Sequence, residues 1–313
     1  MKKSYLILLL IFILCYMLID PVHGMEGVKN GLLLWYDRIL PALLPFSIIS
    51  YILVASDNLS FFSRILHPVI KKLIPVSPDG VYPLLAGFLF GFPLGSKIIG
   101  QLSENGQLRP SEAQILLSVC NNISPVFVTS FILYTQLGLS HLSAVTLLIL
   151  YFPALLLGSI LLSTDARRTK DRTAFHAQKQ PASGSQMNFK IIDTGIMDGF
   201  ETLTRLGGYI MLFSMIASLL QKLPVPRVVT LILTGMVEIT NGIAMLPDSG
   251  LPQSVQYVLT VVYTAFGGLS GIAQTSSMIR DTPLSIKRYC IAKLLLAACC
   301  GLLACLVSQI FHL

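Results

Sequence analysis

Apolar and polar residues occur along this chain in long alternating blocks. Most apolar blocks approach the roughly 20 residues that a helix needs to cross the hydrocarbon core of a bilayer. The pattern predicts an all-α, polytopic transmembrane helical bundle of about nine membrane segments, some of them broken or re-entrant. The blocks lie near 5–19, 39–55, 81–100, 113–136, 142–162, 206–220, 228–246, 254–279 and 289–311.

The N-terminus has the charge and the apolar core of a secretory signal, with Lys2 and Lys3 before the first block. Val22, His23 and Gly24 make a poor cleavage site, and further apolar blocks follow. These features favour an uncleaved first helix.

One long polar stretch, residues 163–190, splits the chain into two comparable parts. Its basic residues and its Pro-Ala-Ser-Gly-Ser run are typical of a flexible linker. A basic linker favours the cytoplasmic side, whereas nine full spans from an inside N-terminus would place it outside, so one segment is expected to be re-entrant. The predicted regions are an N-terminal membrane helix (1–30), a first repeat (31–162), the linker (163–190) and a second repeat (191–313).

Composition supports the membrane interpretation. Charged residues make up 12% of the 313 residues, about half the usual fraction of a soluble domain. Mean hydropathy is +0.74. The net charge of +7 comes mainly from residues between the apolar blocks. Cytoplasmic retention and contact with anionic lipid explain it better than nucleic acid does. The six cysteines lie within apolar blocks and the five histidines are scattered, so we expect no metal, no cofactor and no structural disulfide.

The two parts resemble one another in three ungapped or nearly ungapped alignments that occur in the same order. Such an internal two-fold repeat is a recurring plan of secondary transporters, with substrate held where the repeats meet. The sequence leaves parallel and inverted copies open. The paired segments are 38–49 with 205–216, 87–95 with 235–242, and 121–130 with 267–276.

Four places combine helix-breaking and polar residues at membrane depth: 91–97, 121–125, 238–242 and 267–277. Irregular backbone survives in a bilayer only where protein or a watery cavity covers it. Broken helices also present N–H groups to anions and carbonyls to cations. The alternative is that the glycines only allow close helix packing and that the prolines only kink helices.

Glu238 is the most informative of the polar residues, because a carboxylate inside an apolar block is costly. It is either a coupling or substrate-binding group or a neutral acid bonded to a neighbouring helix. Lys97 either points inward, towards an anion or Glu238, or extends to the membrane interface. Arg38 and Arg205 are expected at the start of a helix in each half, as interfacial anchors. The predicted substrate-binding residues are Gly95, Ser96, Lys97, Asn121, Asn122, Ser124, Glu238, Asn241, Gly268, Ser270 and Gln274.

Sequence motifs for catalysis are missing. The chain shows neither a nucleophile–base–orienter set nor a phosphate-binding loop, so we expect no enzyme.

Several of these runs together resemble the YlbJ-type sporulation integral membrane proteins, within the group that carries the nucleoside-recognition, or Gate, domain. The resemblance covers roughly residues 30 to 310, and this chain departs from the gate motif at Leu94. The runs are LPALLPF at 40–46, GFPLGSK at 91–97, CNNISPVFV at 120–128, GMVEITNG at 235–242 and FGGLSGIAQ at 266–274.

The resemblance implies a multi-pass protein of the bacterial cell membrane with one gate-like region in each half. It also implies a role in endospore formation, in moving dipicolinic acid across the outer forespore membrane. We therefore expect a transporter or facilitator for a small anionic metabolite, in contact with membrane lipid. The alternatives are a nucleoside transporter and a non-transporting component of a sporulation complex. A homo-oligomer stays open for each of these functions.

Overall fold

The computed structural model describes residues 11, 13–55, 59–169 and 189–313 of the chain, and the side chains of these residues except 59–62 and 168–169. Helices make up nearly all of this part, and no strand occurs in it. The all-α helical bundle is therefore confirmed. Helices α1 to α6 are Pro21–Leu34, Leu40–Ala55, Leu59–Leu73, Val81–Leu89, Leu94–Glu104 and Pro110–Cys120; α7 is Phe127–Gln136, with π-type hydrogen bonding; α8 to α14 are Ser143–Thr169, Phe189–Leu220, Arg227–Val237, Ile239–Ala244, Gln253–Phe266, Gly268–Met278 and Ile286–Ile310.

Among the described residues, five helical stretches are long and apolar enough to cross a membrane. Nine membrane segments are not confirmed. Helix α8 continues to Thr169 and α9 begins at Phe189, so both ends of the predicted linker are helical, and residues 170–188 lie outside the described residues. The five stretches are Pro21–Ala55, Ser140–Arg167, Phe189–Leu220, Gln253–Met278 and Ile286–Ile310.

Two of the expected segments, 81–100 and 228–246, fold back on themselves instead of running straight. In the first, α4 and α5 pack together, and a Cβ on Gly95 would lie 2.8 Å from Gly87 Cα. In the second, α10 and α11 pack together, and a Cβ on Gly242 would overlap Gly235 Cα. Residues eight apart in a straight helix are about 12 Å apart, so the chain reverses at both places. We call them hairpin 1 (residues 81–104) and hairpin 2 (residues 227–244).

Each hairpin is followed by a helix that is interrupted midway. Break 1 (residues 121–124) separates α6 from the helical residues that continue into α7, and break 2 (Gly267 with Gly268, the first residue of α13) separates α12 from the rest of α13. Gly267 and Gly268 both have positive φ, +84° and +69°, a region that favours glycine. A hairpin and then a broken helix thus occur in the same order in both halves, at the segments that the sequence alignment pairs. The repeat itself stays a prediction.

Helices α1 and α2 form one continuous arm through a π-helical turn, Trp35–Ile39, and this arm packs antiparallel along α9. Small residues line the contact: Cβ atoms on Gly27 and Gly31 would lie within 3 Å of the Ser218 and Ser214 hydroxyls. Small residues let membrane helices approach closely. The expectation that Arg205 begins a helix is wrong, because α9 starts at Phe189, sixteen residues earlier.

Helix α14 shows how the bundle faces its surroundings. Leu295, Leu302 and Leu306 point outward and are exposed, whereas Lys293 and Cys300 are buried. Apolar side chains outside and polar ones inside are the arrangement expected in lipid. The interior is formed mainly by two clusters, one around the hairpin 1 helices and one around α12, α14 and break 1.

Candidate functional site

The hairpin tips and the helix breaks meet at the centre of the molecule. At the tip of hairpin 1, Phe92 N donates to Asn122 O in break 1 (2.7 Å). The Phe92 ring also lies against break 2 and the first turn of α13, where a Cβ on Gly271 would be 3.3 Å from it. At the tip of hairpin 2, Ile239 packs against Gly268. Each tip thus lies on the break of its own half, and Phe92 contacts both breaks.

A cavity of about 450 Å³ lies between these elements and the α1–α2 arm. Its size is that of an ordinary small-molecule pocket. Both halves contribute to its wall, which is mainly apolar and includes four aromatic rings. The rings are Phe90, Phe92, Phe127 and Phe131; the polar wall residues are Asp37, Arg38, Ser124, Ser130, Glu238, Thr240, Ser270 and Gln274.

Four of the eleven predicted residues line this cavity: Ser124, Glu238, Ser270 and Gln274. Ser270 and Gln274 are joined to each other, since Gln274 Nε2 donates to Ser270 Oγ (2.9 Å). The other seven lie behind the wall or in the hairpins. The structure therefore divides the predicted set into a cavity group and a supporting group.

Glu238 lies at the tip of hairpin 2, where its backbone is extended (φ −143°, ψ 114°). One carboxylate oxygen, Oε2, accepts from Asn241 N and from Asn241 Nδ2, both at 2.9 Å, and from Thr240 Oγ1. Through these bonds Glu238 caps the short helix that follows it. Asn241 also donates from Nδ2 to Ser214 Oγ on α9 (2.9 Å), so hairpin 2 is tied to α9.

Asn121 lies inside the protein and does not line the cavity. Its Nδ2 donates to Thr275 Oγ1 (2.8 Å) and to the Tyr289 hydroxyl (3.1 Å). Both partners belong to the second half, so this amide connects break 1 to α13 and α14.

Asn122 is held from two sides. Its Nδ2 donates to Val119 O (2.8 Å), and its Oδ1 accepts from Lys293 Nζ (2.7 Å). Lys293 is fully buried on α14, and its ammonium lies 5.8 Å from the centre of the Tyr289 ring. Within the described part of the chain, no carboxylate pairs with it.

Hairpin 1 supplies the remaining predicted residues. Gly95 provides the close contact to Gly87, and Ser96 Oγ donates to Pro93 O (2.7 Å). Lys97 is buried, so it does not extend to the interface, and it does not pair with Glu238. It forms an ion pair with Asp198 on α9 and donates to Ser47 Oγ on α2 (3.3 Å).

Gly268 is not in the cavity wall, but it begins the helix whose first turn forms part of that wall. Its neighbours Gly267, Ser270 and Gly271 line the cavity, and no side chain among the described residues caps α13. Helix α7 begins at the same cavity, which Ser124, Val126 and Phe127 line. The first turn of α13 therefore presents backbone N–H groups to the cavity, and such an end favours anions. The start of α7 is already capped by Ser124 Oγ, which accepts from Phe127 N (3.3 Å).

Sequence reasoning missed several residues around this site. Lys293 was detectable, because it is a lone lysine inside an apolar block. Asp198 was not, because it lies outside the apolar blocks of the sequence. Arg38 was assigned to the interface, but its π-helical turn brings it to the cavity wall. Phe92 gave no signal, since an aromatic residue in an apolar block is ordinary.

Metal binding has no support in the described residues, which contain no group of three or more His, Cys, Asp or Glu side chains suited to an ion. All six cysteines are free thiols.

Long apolar helices, outward-facing leucines and an internal polar cavity define a multi-pass integral membrane protein. The chain is similar to the sporulation integral membrane protein YlbJ of Bacillus subtilis (strain 168), with 24% identity over 91% of this chain and 78% of that protein. The resemblance to YlbJ-type proteins is thereby confirmed. No family model matches the chain, and no solved structure matches it. The Gate domain stays a prediction.

Proposed function

We propose that this protein is a transporter or facilitator that carries a small anionic metabolite across a membrane during sporulation, with dipicolinate as the leading substrate. The central cavity carries the proposal, because the open N-terminus of α13 and the side chain of Arg38 meet at it, between elements of both halves. Helical repeats that enclose a site of broken helices are a common plan of secondary transporters. The similarity to YlbJ supports sporulation as the setting, and the outer forespore membrane as the location is part of the proposal.

The wall of the cavity suits a planar dicarboxylate. The start of α13 offers backbone N–H groups and Ser270, whereas Ser124 at the start of α7 caps its own helix. Arg38 adds a guanidinium, which binds carboxylates through paired hydrogen bonds. The N-terminus of α13 and Arg38 are two anion-favouring groups in one cavity, and they match a ligand with two carboxylates, such as dipicolinate.

The aromatic residues of the wall suit the ring of such a ligand. Phe90 and Phe92 come from hairpin 1, and Phe127 and Phe131 come from α7. Aromatic pairs gain about 0.5–1.5 kcal/mol beyond the burial of their area. The wall can therefore pack against the ring of a flat aromatic anion and also bind its carboxylates.

A nucleoside is the second candidate, and Glu238 favours it. The donors to this carboxylate are all bound to Oε2, and Glu238 lines the cavity. A free carboxylate oxygen would accept hydrogen bonds from a neutral, donor-rich ligand, whereas it repels an anion.

The test is uptake of labelled dipicolinate into proteoliposomes, with nucleosides as competitors. Saturable uptake of dipicolinate supports the proposal, and uptake of nucleosides alone supports the second candidate. No flux of either substrate, from protein shown to be folded, would contradict transport of both and favour a non-transporting partner in a sporulation complex.

A matched pair of variants locates the site. Arg38→Gln removes the cationic group of the wall and is expected to raise KM for dipicolinate about tenfold, the loss of one charged hydrogen bond of about 1.5 kcal/mol. Arg205→Gln changes the aligned arginine, which is exposed and paired with Glu201. Uptake should be unchanged in this control.

A further inference from the structure

We infer that the ammonium group of Lys293 takes, at break 1, the place of the coupling cation that a secondary transporter would otherwise bind there. The inference deepens the proposed transport function, and it rests on that function only where uptake is measured. In secondary transporters, unwound backbone carbonyls and the C-terminal ends of half-helices coordinate the coupling cation. Break 1 has both features, and a side chain of this chain supplies the positive charge.

The end of α6 is an electronegative position. The last carbonyls of a helix have no partner within the helix and carry the negative end of its dipole. Helix α6 ends at Cys120, inside the protein, and Asn121 and Asn122 follow it. Lys293 Nζ approaches this end and donates to Asn122 Oδ1 at 2.7 Å.

Four carbonyl oxygens at the end of α6 and in break 1 are already used by donors of the chain itself. Val119 O and Cys120 O accept from Asn122 Nδ2 and from Asn122 N (2.8 and 3.0 Å). Asn122 O accepts from Phe92 N (2.7 Å), and Ile123 O accepts from the Tyr151 hydroxyl (2.6 Å). A bound cation would have to displace these donors.

The surroundings of Lys293 differ from those of an ordinary ion pair. Its neighbours are the Tyr289 ring, which attracts a cation, and the buried thiols of Cys120 and Cys300. Within the described residues no carboxylate cancels its charge. Asn122 is two residues before Ser124, so the charge lies just behind the cavity wall and favours an anion in it.

The first experiment needs no substrate. Thermal unfolding of the purified protein in detergent is compared in sodium chloride, methylammonium chloride and choline chloride. The wild type should unfold at the same temperature in all three salts. Lys293→Ala should unfold at a lower temperature in choline, and sodium or methylammonium, which fit the vacated space, should restore part of the loss. Lys287→Ala, an exposed lysine of the same helix, should show neither effect.

Two outcomes overturn the inference: stabilisation of the wild type by sodium relative to choline, or an unfolding temperature of Lys293→Ala that no small cation changes. If Lys293→Ala does not fold, Asn122→Asp replaces it. That variant pairs with Lys293 and should remain folded, but it cancels the charge behind the wall. Its KM for dipicolinate should rise about tenfold, and an unchanged KM would equally overturn the inference.

The second experiment measures dipicolinate uptake by the wild type in sodium and in choline. Equal rates support the inference, and a requirement for sodium overturns it. If the wild type transports no dipicolinate, the proposed function fails for that substrate, while the unfolding measurements still decide the role of Lys293.

Discussion

Break 1 and break 2 interrupt helices at aligned places, but different kinds of residue support them. Break 1 is rich in side chains, and Asn121 and Asn122 are bound to α13 and α14. Break 2 is made of Gly267 and Gly268, whose conformations need no Cβ. Break 1 therefore holds the two halves together, whereas break 2 leaves its helix N-terminus open to the cavity.

The hairpins differ in the same sense. Hairpin 1 is joined to α9 by the Lys97–Asp198 ion pair, which is buried at the lysine and partly exposed at the aspartate, and hairpin 2 by the neutral hydrogen bond from Asn241 to Ser214. Charged side chains thus connect hairpin 1 to α9, whereas neutral side chains connect hairpin 2 to it. Two segments that align in sequence and share a backbone arrangement can therefore be stabilised by different interactions.

Removal of Lys97 should have the largest effect, because it leaves Asp198 without its partner. Lys97→Met is expected to destabilise the protein by about 3 kcal/mol, the low end of the cost of breaking a buried pair, because Asp198 is partly exposed. Thermal unfolding in detergent measures it. Lys97→Met with Asp198→Leu should recover much of the loss. A double variant no more stable than Lys97→Met would show that the ion pair does not anchor hairpin 1.

Hairpin 2 should be sensitive to size rather than to charge. Gly242→Ala places a methyl group against the Gly235 backbone, and we expect a loss of about 1–3 kcal/mol from overpacking. The control is Gly208→Ala on α9, where a Cβ meets nothing within 4 Å. Equal unfolding temperatures for the two variants would show that the close contact between Gly235 and Gly242 does not matter for the stability of hairpin 2.

The breaks themselves are compared by Asn121→Leu and Gly267→Ala. Asn121→Leu removes two buried hydrogen bonds between the halves and should cost about 2 kcal/mol in the free energy of unfolding. Gly267→Ala should cost about 1 kcal/mol, from its positive φ alone, since its Cβ would meet only Phe92, at 3.8 Å. A larger loss in Gly267→Ala would reverse the comparison.

Glu238→Gln should change transport more than stability. Without its negative charge, the cavity should bind dipicolinate more tightly and release it more slowly. We expect KM and the maximal uptake rate to fall, each by about tenfold, which corresponds to about 1.4 kcal/mol. The amount of protein in the membrane should stay constant. Unchanged uptake would remove Glu238 from the mechanism.

The helical class was predictable because block length and hydropathy report directly on a bilayer environment. The hairpins were not, since a reversing segment and a spanning one have the same composition. What distinguishes them is contact between Gly87 and Gly95, and between Gly235 and Gly242, which exists only in three dimensions.

The candidate site was predictable in part for a similar reason. The intramembrane polar residues at the breaks were recognisable from their cost in lipid, and Ser124, Glu238, Ser270 and Gln274 do share one cavity. Whether such a residue faces the cavity or supports it from behind depends on partners that are distant in sequence. Lys293, for example, is 171 residues from Asn122.

The antiparallel contact of the α1–α2 arm with α9 has a consequence for biogenesis. Trp35 donates to Leu203 O at 2.7 Å, and these residues are 168 positions apart. At roughly 5–20 residues per second, a ribosome needs on the order of 10–30 s to supply the partner of the arm. Its glycine-lined face must meanwhile be covered by lipid or by an insertion factor. The last step of membrane assembly is then the arrival of the second half beside a helix that was inserted first.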